Sequence, residues 1–166
     1  MITVATDHLI AAPLARADLD ALIAMHRDPA VMATLGGVRS PALTRSYFAR
    51  NIAHWARHGF GLWIFRERAT GRFVGRGGLR RVQLEGVPEV EIGYALMPEY
   101  WGRGLATEIA RLSVETAARF NIRELVAFAL PSNRGSRRVM EKLGFRYQRD
   151  VLWFGVTNVL YRRALA

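Results

Sequence analysis

The sequence predicts an α/β domain of three layers, a mixed sheet with helices on both faces. Its elements read β-α-α-α-β-β-β-α-β-α-β-β. A helix separates the fourth and fifth predicted strands, so these two should be parallel neighbours joined by a right-handed crossover. An apolar strand also leads through Tyr100-Trp101-Gly102-Arg103-Gly104-Leu105-Ala106 into an amphipathic helix. A glycine-rich turn in that place presents bare backbone N–H groups at the positive end of a helix dipole, which is a phosphate-binding device.

The elements follow in order. Leu9 to Ala12 is a short strand that Pro13 ends. Ala17 to His26 repeats apolar residues at Leu19, Leu22, Ile23 and Met25, a helical spacing, with Asp18 and Asp20 in the first turn where the dipole favours them. Asp28-Pro29 breaks this helix, and Ala30 to Leu35 reads as a second, short one. After Gly36-Gly37, Ser40-Pro41 pairs a good N-cap with proline at the first helical position. That third helix should run to about Arg57 and stop before Gly59. Phe60 to Glu67 and Arg72 to Arg81 read as strands around the turn signal Ala69-Thr70-Gly71. Val87 to Met97 alternates Val90, Ile92, Tyr94 and Leu96 against Glu89, Glu91, Gly93 and Ala95. Gly102 to Phe120 is the crossover helix and Glu124 to Leu130 the strand after it. Asn133 to Leu143 is a last helix, followed by a strand pair, Tyr147 to Val151 and Trp153 to Arg163.

Composition bounds the function. A chain of 166 residues that is half hydrophobic suits one domain with a real core, expected to span 1–166. There are no cysteines, which excludes disulfides, thiolate metal sites and cysteine nucleophiles and fits a reducing cytoplasm. The N-terminus has Asp7 and His8 early and no apolar signal-peptide core, and no apolar run is long enough to span a bilayer. A soluble, cytoplasmic protein with no membrane partner is expected. The formal charge of +10 comes almost wholly from arginine, Lys142 being the only lysine. The arginines are spread along the chain, so the charge reads either as compositional bias or as affinity for anionic ligands such as cofactor phosphates, RNA or an acidic substrate.

Together these motifs resemble the GNAT superfamily of acetyl-CoA-dependent N-acetyltransferases, and within it the RimJ/RimL-type branch that acetylates ribosomal-protein N-termini. The resemblance rests on Thr6-Asp7-His8-Leu9-Ile10 with Pro13-Leu14 and Ala17-Asp18-Leu19-Asp20, and on Asp28-Pro29-Ala30-Val31-Met32. It continues through Glu91-Ile92-Gly93-Tyr94, Tyr100 to Glu108, and Asn133-Arg134-Gly135-Ser136 to Glu141-Lys142-Leu143-Gly144-Phe145. It covers nearly the whole chain. It implies a mixed, mostly antiparallel twisted sheet whose fourth and fifth strands are parallel and splay apart. It also implies acetyl-CoA as co-substrate, with no metal, and direct attack by a primary amine in a ternary complex. The acceptor is then a protein N-terminal α-amine or a small-molecule amine, and the protein a monomer or homodimer. Nucleic acid is not expected as a direct substrate. Two rival readings are a non-catalytic acyl-CoA-binding sensor and a ribosome- or RNA-associated basic protein.

Acetyl transfer needs a neutral amine, a polarised thioester carbonyl, a proton for the leaving thiolate and near-attack positioning. The resemblance implies that the N–H groups of Trp101, Gly102, Arg103, Gly104, Leu105, Ala106 and Thr107 cradle the pyrophosphate. Arg103, Arg134, Arg137 and Arg138 are possible phosphate contacts and equally ordinary surface arginines. Tyr94, Ala95 and Leu96 would offer the strand edge that pairs with the pantetheine arm and the N–H that polarises the carbonyl. Asn133 is an N-cap by type, and by resemblance it also bonds that arm. Ser136 is either the general acid or a helix-start residue with a local backbone bond. Glu91 is the candidate base, partial burial suiting it to the task, with Glu89 and His54 as alternates. The superfamily's signature often begins with Gln or Arg, where this chain has Trp101. Many members also carry a general-acid tyrosine where this chain has Met140, so another group must serve.

Overall fold

Eight strands join in one sheet in the order β1-β2-β3-β4-β5-β6-β8-β7 in the computed structural model, which describes residues 2–165. The strands are β1 (Val4–Ala5), β2 (Leu9–Pro13), β3 (Leu62–Glu67), β4 (Phe73–Leu84), β5 (Val87–Leu96), β6 (Glu124–Ala129), β7 (Arg146–Trp153) and β8 (Val156–Ala164). The helices are α1 (Leu19–Arg27), α2 (Pro29–Met32), α3 (Pro41–His58), α4 (Leu105–Arg119) and α5 (Arg134–Lys142), with short 3₁₀ turns at 16–18 and 98–100. Every neighbouring pair is antiparallel except β5 and β6, the predicted fourth and fifth strands, which run parallel as the crossover requires.

The parallel pair meets at one register position, Glu91 opposite Val126. By contrast β4 and β5 pair continuously from Gly75↔Leu96 to Leu84↔Val87. The sheet is therefore two antiparallel halves that touch at one rung. Helices α4 and α5 cover one face, where Ala110, Ala117 and Met140 pack on Leu79, Ile92, Leu125 and Ala127. Helices α1 and α3 cover the other, with Leu22 and Tyr47 against Leu62 and Ile64.

Local chemistry explains both the agreements and the shifts. Ser40 Oγ accepts from Leu43 N at 3.2 Å and Pro41 opens α3, while Gly59 takes a left-handed conformation at its end. Pro13 ends β2 from within, as its last residue, pairing Trp63 beyond the reach of β1, so the strand is one residue longer than expected. α1 starts two residues late behind a 3₁₀ turn, and α2 closes at Met32 instead of Leu35. α4 begins at Leu105, three residues after the expected start, because Gly102 and Gly104 hold φ of 71° and 78°, outside the helical region. The last hairpin turns at Phe154-Gly155, not at Leu152. Both turn residues have positive φ, 49° and 76°, the mirror-image turn that matches strand twist.

Candidate active site

A single cavity of about 1000 Å³ draws its walls from both faces of the sheet. On the α4–α5 side it is lined by Gly102, Gly104 to Thr107, Asn133 and Ser136, and on the α1–α3 side by Tyr47, Arg76 and Arg80. Both strands of the parallel pair contribute, Glu91 to Leu96 from β5, and Phe128 and Ala129 from the end of β6 with Leu130 just after it. The cavity thus passes through the sheet where β5 and β6 separate.

At one end stands the start of α4. No side chain caps it, and the first intrahelical bond runs from Glu108 N to Gly104 O at 3.2 Å. The amides of Leu105, Ala106 and Thr107 face no intrahelical carbonyl, as at every helix start. Arg138 and Lys142 of α5 line the same cavity and form no ion pair among the described residues. Arg103 turns away to Glu67, 2.9 Å distant, and Arg137 to Tyr161 and the Pro131 carbonyl. Trp101 is half-exposed, and its Nε1 donates to Leu96 O at 2.8 Å, which closes the loop over the end of β5.

The β5 edge follows from its pairing. Met97 N donates to Val74 O at 2.8 Å, and an antiparallel strand alternates the side to which successive residues turn their N–H and C=O. Counting back, Ile92, Tyr94 and Leu96 turn theirs toward β6. The Ala95 amide lies in the ladder with β4, although its side chain lines the cavity.

Asn133 caps α5, its Oδ1 accepting from Ser136 N at 3.1 Å. Ser136 Oγ lies 3.1 Å from the Tyr94 hydroxyl, which is also 3.1 Å from the Ser136 carbonyl. Burial pushes the Tyr94 phenol up to about 12, so it keeps its proton at neutral pH. The sequence placed Tyr94 only as backbone edge. No local signal could link it to a serine 42 residues away. Met140, which the resemblance sets where many members carry a tyrosine, is buried in the core cluster on which Tyr94 packs.

Glu91 is 8% exposed and paired, its Oε2 accepting from Arg80 Nε at 2.8 Å and Nη2 at 2.6 Å. It is the one carboxylate in the cavity wall, and its Oε1 has no hydrogen bond among the described residues. Arg80 was missed in the sequence because β4 was expected to end at Arg81, with no register to set it opposite Glu91. The alternates lie elsewhere. Glu89 pairs with Arg162 at 2.8 Å. His54 Nδ1 faces the Phe60 carbonyl at 2.9 Å and its Nε2 accepts from Arg81 N at 3.0 Å, so both ring nitrogens are spent, one on the connection ahead of β3 and one on β4.

The family model for an acetyltransferase (GNAT) domain matches residues 8–146. A Bacillus subtilis relative, uncharacterized protein YkkB, is 32% identical over 142 residues, covering 84% of this chain and 81% of its own. The acetyltransferase from Agrobacterium tumefaciens superposes with a TM-score of 0.87 at 29% identity, over 98% of this chain and 94% of its own. RimL, a ribosomal L7/L12 α-N-protein acetyltransferase solved with coenzyme A, shares the fold at a TM-score of 0.81 and 18% identity, over 99% and 98%.

Proposed function

The chain belongs to the GNAT acetyltransferase family and is an acyltransferase, and on that premise we propose that it acetylates a primary amine by direct attack on acetyl-CoA. The observation that carries this is the through-sheet cavity, which joins an uncapped helix start, a strand edge with free amides and two proton-handling groups. Acetyl-CoA supplies the activated acetyl group as a thioester.

The remaining roles fall to this chain's residues. Amides from Gly102 to Thr107 hold the pyrophosphate, and Arg138 and Lys142 add charge beside them; the Trp101 N–H expected to join them is spent on the Pro98 carbonyl at 3.1 Å. The edge of β5 orders the pantetheine arm, with Asn133 Nδ2 as a further donor. The N–H of Tyr94 or Leu96 polarises the thioester carbonyl as it gains negative charge. The amine nitrogen bonds to the carbonyl carbon, the C–S bond breaks, and the amine's extra proton leaves to Glu91 Oε1 or through it to water. The sulfur takes a proton from Ser136, Tyr94 restores it along the hydrogen bond between them, and water entering the cavity after product release returns a proton to Tyr94. The products are the N-acetylated acceptor and the coenzyme A thiol.

The acceptor is a protein N-terminal α-amine or a small-molecule amine. The RimJ/RimL-type branch is the assignment we favour within the family, supported by the motif order and the RimL likeness. One domain over 1–166, a monomer or homodimer and a cytoplasmic location complete the reading. The test is thiol release from acetyl-CoA with peptide N-termini, polyamines, aminoglycosides and amino acids as acceptors. Acceptor-dependent release is expected, with kcat lowered about 10²-fold in Ser136→Ala and in Glu91→Gln, and less in Tyr94→Phe. Tight acetyl-CoA binding with no release on any amine would replace the enzyme by a sensor.

A further inference from the structure

The half of the cavity on the α1–α3 side is cationic without local compensation. Arg76 of β4 is 7% exposed and lines the wall, yet neither it nor Arg39 joins any ion pair among the described residues. Both guanidinium carbons sit over the Tyr47 ring, Arg76 at 4.9 Å and Arg39 at 5.1 Å from its centroid. The Tyr47 hydroxyl is fully buried with no hydrogen-bond partner, on a residue that also lines the cavity. The one carboxylate in the cavity wall, Glu91, is already bound to Arg80.

A built support fixes Arg76. Its Nε donates to His26 Nε2 at 3.2 Å, and His26 Nδ1 faces Thr44 Oγ1 at 3.1 Å, with both His26 and Thr44 fully buried. Accepting from Arg76 requires a lone pair on Nε2, so the histidine is neutral with its proton on Nδ1. Burial and the two arginines hold its pKa down at about 3, which keeps it so. The arrangement leaves both Nη groups of Arg76 for another partner. A buried guanidinium without a counter-charge is costly, and a phenol without a partner adds to the cost.

We propose that this end of the cavity receives an oxyanion, a carboxylate or a phosphate, carried by the amine acceptor itself, so that the substrate is a small amine with its own anionic group and not a polyamine. The inference rests on the acetyl-transfer reading of the same cavity. Register supports it. Arg76 stands opposite Ala95 and Arg80 opposite Glu91, on one face and about 13 Å apart along β4. The anion would sit on the open side of the splay while the amine reaches toward Glu91. The cofactor's phosphates do not account for the site, because the glycine turn that suits them lies on the other face.

The test uses matched acceptors at saturating acetyl-CoA: free amino acids against their amides, and phosphoethanolamine against ethanolamine, with spermidine as the cationic control. The anionic member of one pair should exceed its neutral counterpart about 10²-fold in kcat/KM, and which pair does so separates carboxylate from phosphate. Arg39→Gln removes a half-buried side chain that makes no hydrogen bond among the described residues, so the fold should survive. It and Arg76→Lys should each pull that ratio toward one, chiefly through KM. Equal or better acetylation of the neutral amines or spermidine overturns the proposal, as does an unchanged ratio in both variants. If no amine releases thiol, the acetyl-transfer reading is what fails. Thermal shifts with coenzyme A plus N-acetylated amino acids or their amides then decide. Stabilisation by the acids alone, lost in Arg39→Gln, supports the anion site, and equal shifts overturn it.

Discussion

Burial holds two titratable side chains of this protein uncharged at neutral pH by opposite shifts. Tyr94 is pushed up to about 12 and stays a phenol, able to donate toward Ser136. His26 is driven down to about 3 and stays a neutral imidazole, able to accept from Arg76. The second shift has a consequence for stability. The unfolded chain titrates His26 near 6.5, so between pH 6.5 and about 3 it binds a proton that the folded chain does not. The stabilisation is fully present above pH 6.5 and is lost as pH falls toward 3. The charged neighbours, Arg76 and Arg39, oppose protonation in the same direction. Urea midpoints measured from pH 7 to 4 should therefore fall less steeply in His26→Gln than in the parent, and parallel curves would contradict this assignment. At this scale the sequence marks Glu91 and Ser136 as candidates by their type and motif position. It did not give up their partners Arg80 and Tyr94, which depend on strand register and on a contact between distant segments.

Elements were most legible where their ends carry specific chemistry. Both ends of α3 follow from Ser40-Pro41 and Gly59. Expectations drifted where a pattern ran on past the backbone's own stop. α4 loses three expected residues to the left-handed Gly102 and Gly104, and that loss shapes the candidate site, since it leaves the turn as a loop ahead of the helix. Gly104 has φ of 78°, and a Cβ there would meet nothing within 4 Å. The penalty for Gly104→Ala is thus one of backbone conformation alone, about 1 to 2 kcal/mol. If the chain relieves it by letting the turn relax, the amides of Leu105 to Thr107 lose their alignment. Gly104→Ala should accordingly bind acetyl-CoA about 10-fold more weakly while losing no more than that roughly 1 to 2 kcal/mol of stability without it. Calorimetric titration set beside a denaturant curve separates the two, and an unchanged Kd would remove this turn from the phosphate site.

On the scale of the whole molecule, the sheet's two halves share one parallel rung, Glu91 opposite Val126, below which the strands part. The crossover predicted the parallel pair from sequence. The depth of the parting was not readable from β5 or β6 alone, since beyond the rung it leaves the edge groups of Tyr94 and Leu96 without partners in β6. Several arginines that sequence could read only as diffuse charge join distant elements, Arg66 to Asp18 at 2.7 Å and Arg162 to Glu89 at 2.8 Å among them. Those that remain unpaired around the cavity give the +10 charge its local meaning. A ligand threading the gap would complete the β5 edge and tie the halves together, so acetyl-CoA should stabilise the folded state as a whole. At 100-fold over Kd the gain is about 2.7 kcal/mol, or a Tm rise of roughly 5 to 10 °C for a chain of this size. Amide exchange locates the effect. Protection should rise at Tyr94, Leu96 and Leu105 to Thr107, whose N–H groups face the cavity. At Ala95, whose N–H is already held by β4, it should rise only by the share that global stabilisation gives every slowly exchanging amide. Uniform protection across β5 would mean that the ligand acts only by shifting global unfolding, and that the strand edge takes no direct part in holding it.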